Sequence, residues 1–179
     1  EPVIKYLPDY DYQNPLTIKN LLNQTSDFDN HAKLKDAKSK KTYGTYEYSN
    51  ANYDLLGKII EAVSGQPYGQ YIQENIYNPL GMVNSCADAQ VTRTKTNLLL
   101  GNRNYFGFFK RGDADYPNEN SWFHESAGFT ASTANDMGKY LQMYLRRGKT
   151  ANGVSIISKE NLERMWYDNV ENPWDKVTR

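Results

Sequence analysis

Cysteine and histidine are almost missing from this chain of 179 residues, which holds one Cys and two His. Cys86 has no partner for an internal disulfide, and with His31 and His124 it makes no zinc-ligand set. Neither a disulfide scaffold nor a metal centre is expected, and no motif asks for an organic cofactor. Net charge is missing too, because 21 Lys and Arg cancel 21 Asp and Glu. Only the stretch Lys33 to Lys41 gathers several lysines, so the electrostatic footprint of a nucleic-acid binder is lacking. No apolar run approaches the ~20 residues of a membrane-spanning helix. The chain opens Glu1-Pro2-Val3 with no signal-peptide pattern and is expected to be a piece of something longer. What it does hold is 39% hydrophobic and 23% charged residues, enough for one packed core. Its 15 tyrosines and abundant asparagines stand out. Asn favours turns and caps, which predicts many short loops, although a biased genome composition gives the same excess.

The pattern along the chain predicts a mainly α architecture: about five helices, irregular loops and at most a minor β-hairpin. Pro2 to Pro15 should be an extended entry and not a helix. Thr17 then caps a short helix with Ile18, Leu21 and Leu22 on one face, fading near Gln24 to Asp27. Residues 29 to 42 read as a solvated loop. The strongest periodic signal is a central helix capped by Ser49 or Asn50, with Leu55, Leu56, Ile59, Ile60 and Val63 inward and Gly65 at its end. Gly57 inside it costs about 1 kcal/mol relative to Ala, which points to a close approach of another backbone. Pro67 starts a following helix with Tyr68, Tyr71, Ile72 and Ile76 inward, and Pro79 is expected to stop it before a turn at Leu80-Gly81-Met82. Residues 84 to 131 promise little regular structure, with Tyr105 to Phe109 either a short strand or irregular chain. Thr133 and Asp136 have capping-box-like spacing ahead of a stripe of Met137, Tyr140, Leu141, Tyr144 and Leu145 that ends at Gly148. A last helix starts at Ser158 and should bury Leu162, Met165 and Trp166.

General catalytic templates find little. None of the serines lies in a G-x-S-x-G elbow, and none has lysine three residues later as an S-x-x-K nucleophile requires. His124, Ser126 and Asp136 can be strung into a triad on paper, but a loop histidine and a loop serine are the commoner meaning of such neighbours. Asp27 with Asp29, or Asp113 with Asp115, read first as turn caps and not as a metal or acid/base pair.

Tyr48-Ser49-Asn50 stands apart because of its surroundings. The stretch from Tyr48 to Gly65, followed by Pro79-Leu80-Gly81-Met82, resembles the serine β-lactamase and penicillin-binding protein superfamily, most nearly its class C β-lactamase-like branch. Val3-Ile4-Lys5-Tyr6-Leu7-Pro8, Thr17 to Ser26, and Ser126-Ala127-Gly128-Phe129 through Ser132 to Asp136 agree with that resemblance in order. It covers residues 3 to about 166.

The resemblance implies a cleft between an α/β domain built from both chain ends and a helical domain from the middle, served by three boxes. An S-x-x-K box comes first, a Tyr-x-Asn box follows, and a Lys/His-x-Gly strand comes last. Lys41-Thr42 and Lys149-Thr150 are not followed directly by glycine and do not supply the third. Residues 1–179 are therefore expected to be a single helical domain of a larger hydrolase, completed by a missing α/β domain and inactive alone. By the same resemblance Tyr48 is the general base or its proton-relay partner, and Asn50 hydrogen-bonds the substrate amide and the box lysine. Ser49 is a spacer or cap. A phenol with an ordinary pKa of about 10 works as a base at neutral pH only beside cations. The implied substrate is a small molecule or peptide of acyl-D-Ala or β-lactam character, or a related ester or amide, met outside the cytoplasmic membrane by a secreted or anchored parent. Two departures bear on the cleft rim: the family's His-Thr-Ser-Gly is Gln24-Thr25-Ser26-Asp27 here, and the turn before the tyrosine is reduced to Tyr43-Gly44. An apolar surface near Tyr48 and the start of the central helix is expected where the α/β domain would dock. The alternatives are a family-derived module that binds peptidoglycan or a β-lactam without turnover, and an unrelated helical interaction domain with a tyrosine-lined groove.

Overall fold

The structure is a computed structural model that describes residues 1–9, 16–28, 44–94, 98–99, 102–111 and 125–167. Its helices are a 3-10 turn Val3–Lys5, then α1 (Ile18–Leu22), α2 (Asn50–Ser64) and α3 (Tyr68–Ile72). A π-helical segment, Gln73–Tyr77, joins α3 to α4 (Asn78–Leu80), and α5 (Ala89–Arg93), α6 (Ala134–Leu145) and α7 (Lys159–Tyr167) follow. Strands β1 (Asn102–Tyr105) and β2 (Phe108–Arg111) form an antiparallel hairpin. The mainly helical expectation holds. The readings on residues 29 to 42, and those on His31, Asp29, Asp113, Asp115 and His124, lie outside the described residues.

Two apolar clusters hold the helices together. The first joins Val3, Leu16, Leu21, Phe28, Ala51, Leu55 and Ile59, so it packs the entry and α1 against α2. Full burial of a side chain such as Leu55 is worth about 1.5–3 kcal/mol. The second joins Tyr77, Met82 and Ala87, with Tyr68, Ile72, Ile76, Leu80 and Tyr140 packed around it. The entry is not simply extended: Val3–Lys5 makes one 3-10 turn, fastened over α1 by Val3 N donating to Leu16 O at 2.8 Å and Ile18 N to Glu1 O at 3.0 Å. Thr17 caps α1 as its sequence promises, its Oγ1 accepting from Asn20 N at 3.2 Å while Asn20 Oδ1 accepts from Thr17 N at 3.1 Å.

Several sequence expectations fail for definable reasons. Leu22 is exposed because α1 is a single turn and a half, too short to bury two adjacent leucines. Val63 is exposed near the end of α2, whose inward face takes Ala51, Asn52 and Asp54 as well as Leu55 and Ile59. Pro67 is the cap residue ahead of α3 and not its first turn. Pro79 does not stop the helix. The π turn lets Asn78 N donate to Gln73 O, five residues back, and loosens the ladder just where Pro79 lacks an N–H and would clash. The rod ends at Gly81, whose φ of 68° is the left-handed conformation of a helix terminator.

Within residues 84 to 131 the described parts include α5 and the β1–β2 hairpin, regular structure where little was expected. Asp88 caps α5 by accepting from Val91 N at 2.9 Å, and Cys86 and Ala131 exchange two backbone bonds of 2.9 Å. The stretch Tyr105 to Phe109 spans the hairpin: Tyr105 ends β1, Phe106 (φ 51°) and Gly107 (φ 90°) form the turn, and Phe108 and Phe109 open β2.

On α6 the buried face is rotated by about 100°, one residue's step, from the apolar stripe. Asp136, Tyr140 and Met143 face inward, and Met137, Leu141 and Leu145 are exposed. The cause is polar. The Asp136 carboxylate accepts from Asn84 N at 2.7 Å, Ser85 Oγ at 3.0 Å and Lys139 Nζ at 3.0 Å, and Lys139 also donates to Gly81 O. That tether sets the rotation of α6. On α7, Leu162 is buried as expected while Met165 and Trp166 are about half exposed, Trp166 stacking on Tyr144 with ring centroids 6.0 Å apart.

Candidate functional site

The Tyr48-Ser49-Asn50 triplet sits where the chain enters α2, the element built from the clearest signals in the sequence. Ser49 is the N-cap by backbone geometry, with extended φ and ψ, and no side-chain cap bond is made. Its side chain is fully buried, so it holds position and is not a surface nucleophile. The residues on either side point the other way. Tyr48 is 53% exposed, and its Oη donates to Asn50 Oδ1 at 2.8 Å. The two side chains singled out from sequence are thus brought together at the surface, on a base that is buried.

That base is a polar network sequence reasoning did not find. Gln24 Oε1 accepts from Ser49 N at 2.9 Å and from Asn52 Nδ2 at 2.5 Å, and the backbone oxygen of Gln24 accepts from Glu47 N at 2.9 Å. Asn52 Oδ1 in turn accepts from Ser26 Oγ. Gln24, Ser26, Ser49 and Asn52 are all buried. Buried polar groups are costly unless paired, so a satisfied set of this kind fixes one geometry. The loop that supplies it is strained: Gln24 has φ 56° and Asp27 φ 63°, a region that costs an ordinary residue roughly 1–2 kcal/mol. Both are positions where the sequence departs from the His-Thr-Ser-Gly that the resemblance implies. The signal available in the sequence was that departure, which marked the loop as altered without revealing what its new side chains bond.

Around this site Gly44, at φ 101°, donates its N–H to Thr25 O at 3.3 Å, closing the rim. Tyr53 Oη donates to Leu22 O at 3.4 Å, so the exposed apolar groups Leu22, Tyr48 and Tyr53 gather at the start of α2. Farther along the helix, Gly57 faces Ser126: a Cβ there would stand 2.6 Å from Ser126 Cβ and closer still to its Oγ. The approach expected from the sequence exists, made by a side chain and not by backbone. Ser126 packs against Gly57 and Asp136 is taken up in the α6 tether; His124, the third member of the paper triad, lies outside the described residues. No group of three or more His, Cys, Asp or Glu among those residues is arranged to hold a metal ion. Cys86 is buried, its Sγ donating to Asp88 O.

Ionisable groups flank α2 on its far side. Burial raises Glu125 above the usual carboxylate range; the Ala89 N–H and Lys58 oppose this, and Asp88 and Glu61 add to it. Burial also lifts the Tyr68 phenol to about 12. Asp136 goes the other way: burial raises it, but Lys139, the Asn84 N–H and Ser85 outweigh that and hold it below its ordinary value.

The family model described as Beta-lactamase matches residues 1–178 of the chain. A curated relative, Protein flp of Staphylococcus aureus (strain NCTC 8325 / PS 47), is 30% identical over 189 aligned residues, covering 90% of this chain and 36% of its own length. The octameric penicillin-binding protein homologue from Pyrococcus abyssi superposes with a TM-score of 0.77 at 25% identity, over 97% of this chain and 44% of that one. A D-amino acid amidase from Ochrobactrum anthropi shares the fold at a TM-score of 0.65 and 22% identity, over 90% of this chain and 50% of its own. The chain therefore spans less than two thirds of the length of each.

Proposed function

The chain belongs to the beta-lactamase family, and from that membership we propose that it is the proton-handling, helical part of a serine hydrolase acting on β-lactams, acyl-D-Ala peptides or related esters and amides. No serine in the 179 residues has the S-x-x-K context. The nucleophile and its lysine then belong to an α/β domain outside these residues, and residues 1–179 form one helical domain that is inactive alone.

In this reading the nucleophilic serine attacks the substrate carbonyl carbon. Its proton passes to the Tyr48 oxygen, directly or through a relay, and is delivered to the leaving nitrogen or oxygen as that bond breaks. Tyr48 Oη carries its proton and donates it to Asn50 Oδ1, so it takes the serine's proton either as a phenolate, its own proton having first gone to solvent, or as a relay that hands its own proton on as it receives the serine's. Asn50 orients the amide of the substrate. The apolar groups Leu22, Tyr48 and Tyr53 at the start of α2 are where the second domain docks. Among the described residues no helix is long and apolar enough to cross a membrane, and we place the parent outside the cytoplasmic membrane because its proposed substrates are there.

The observation that supports the reading most is the 2.8 Å Tyr48–Asn50 bond held at the surface of a buried clamp. Its test is acylation of the protein that carries these residues together with the S-x-x-K segment, using a fluorescent penicillin. Tyr48→Phe should slow acylation by about 10²–10⁴-fold, the usual size of a general acid–base contribution, without unfolding the protein. A Tyr48→Phe rate equal to that of the unsubstituted protein would reject the role.

A further inference from the structure

Gln24 grips the chain on both sides of Tyr48. Its backbone oxygen takes the Glu47 N–H and its side-chain oxygen takes the Ser49 N–H, both at 2.9 Å, so the residues before and after the tyrosine are both held by one residue. The same Oε1 also takes Asn52 Nδ2, in the first turn of α2, which ties the triplet to that helix. Gln24 is 7% exposed and reaches these partners only through a left-handed backbone, φ 56°. Strain of that kind persists where surrounding bonds over-determine it.

We propose that Gln24 is a positioning residue for Tyr48 and Asn50: its carboxamide sets the direction in which the two side chains leave the surface. The inference rests on the hydrolase reading for its catalytic consequence and on the hydrogen bonds alone for the clamp. Gln24 touches no reacting atom. It acts through Ser49 and Asn52, and a small error in where Tyr48 points is enough to cost a large factor in rate. Asn52 and Ser26 extend the clamp inward, since Asn52 Oδ1 accepts from Ser26 Oγ.

Gln24→Gly separates positioning from stability. It removes the carboxamide and at the same time relieves the left-handed backbone, so loss of the side-chain bonds is partly offset in the folded state. Gln24→Glu is the conservative partner, because it keeps an acceptor oxygen at the same reach. Two readouts are taken. Amide hydrogen exchange on the 179-residue chain should show Ser49 N–H exchanging at least about tenfold faster in Gln24→Gly, with Leu55 and Ile59 N–H unchanged. In the acylation assay Gln24→Gly should lower the rate constant roughly 10- to 100-fold with little change in half-saturating penicillin, and Gln24→Glu should recover part of the loss. Unchanged Ser49 exchange overturns the clamp. Exchange rising equally at Ser49, Leu55 and Ile59 overturns it too, by showing general destabilisation. Faster Ser49 exchange with an acylation rate equal to the unsubstituted protein overturns the catalytic consequence. If the unsubstituted protein takes no acyl group at all, the hydrolase reading has failed, and Ser49 exchange still decides whether Gln24 clamps the triplet.

Discussion

Replacing Gly57 by alanine tests how α2 is seated, because two effects of known size oppose each other there. In an open helix interior the change would stabilise by about 1 kcal/mol. At Gly57 the new methyl would stand 2.6 Å from Ser126 Cβ, far inside contact distance, with Tyr68 Cδ2 at 3.7 Å closing another side. Forcing an extra methyl into a packed site costs typically about 1–3 kcal/mol. The expected net is a loss of about 1 kcal/mol, or a drop of roughly 0.5 M in urea midpoint for a slope near 2 kcal/mol/M. The decisive comparison is Ser126→Gly, which removes the obstructing atoms. In that background Gly57→Ala should recover its helical gain of about 1 kcal/mol, so the two backgrounds differ by about 1–3 kcal/mol in a double-mutant cycle. Urea unfolding followed by far-UV circular dichroism measures all four proteins. If Gly57→Ala stabilises equally with and without the Ser126 side chain, the packing of the 125–128 turn on α2 is wrong.

Three further outcomes follow from the same bonds. Asp136→Ala strips acceptors from Asn84 N and Ser85 Oγ and should destabilise by on the order of 2–4 kcal/mol, read as a fall in urea midpoint; a neutral result would mean that α6 is not tethered there. Because the folded Asp136 value lies below the unfolded one, its contribution is complete above about pH 4 and is lost as pH falls further, so the acid limb of the stability profile should flatten in Asp136→Ala. Glu125 has the opposite sign: its raised value makes the ionised form unfavourable when folded, so Glu125→Gln should raise the melting temperature at pH 7 and lose that advantage below about pH 4.

The parts of the fold legible in the sequence are those where local chemistry and burial agree. Thr17, Thr133 and Gly65 mark helix ends because their caps are local bonds, and Gly57 betrays a close contact because nothing else explains a glycine in that stripe. The face of α6 was illegible for a reason of scale. Its apolar stripe predicts one rotation, but Asp136 bonds to Asn84 and Ser85 some 50 residues away and imposes another. Pro79 misled in the same way, since a π turn absorbs it. At the site, Tyr48 and Asn50 stood out through the family resemblance, whereas Gln24 showed only as a departure from it and Asn52 not at all. A polar residue in a loop carries no sign of a partner 25 or 28 positions away, and their burial is visible only once the chain is folded.

In the reading proposed above, this chain carries proton-transfer and positioning groups for a reaction whose nucleophile lies elsewhere. The most direct measurement is the intact mass of the folded 179-residue chain after exposure to a penicillin and, separately, to a fluorophosphonate serine probe. An unmodified mass is expected with both reagents, on protein whose circular dichroism confirms its helices. A stoichiometric acyl or phosphonyl adduct would place a reactive serine within these residues and contradict that reading.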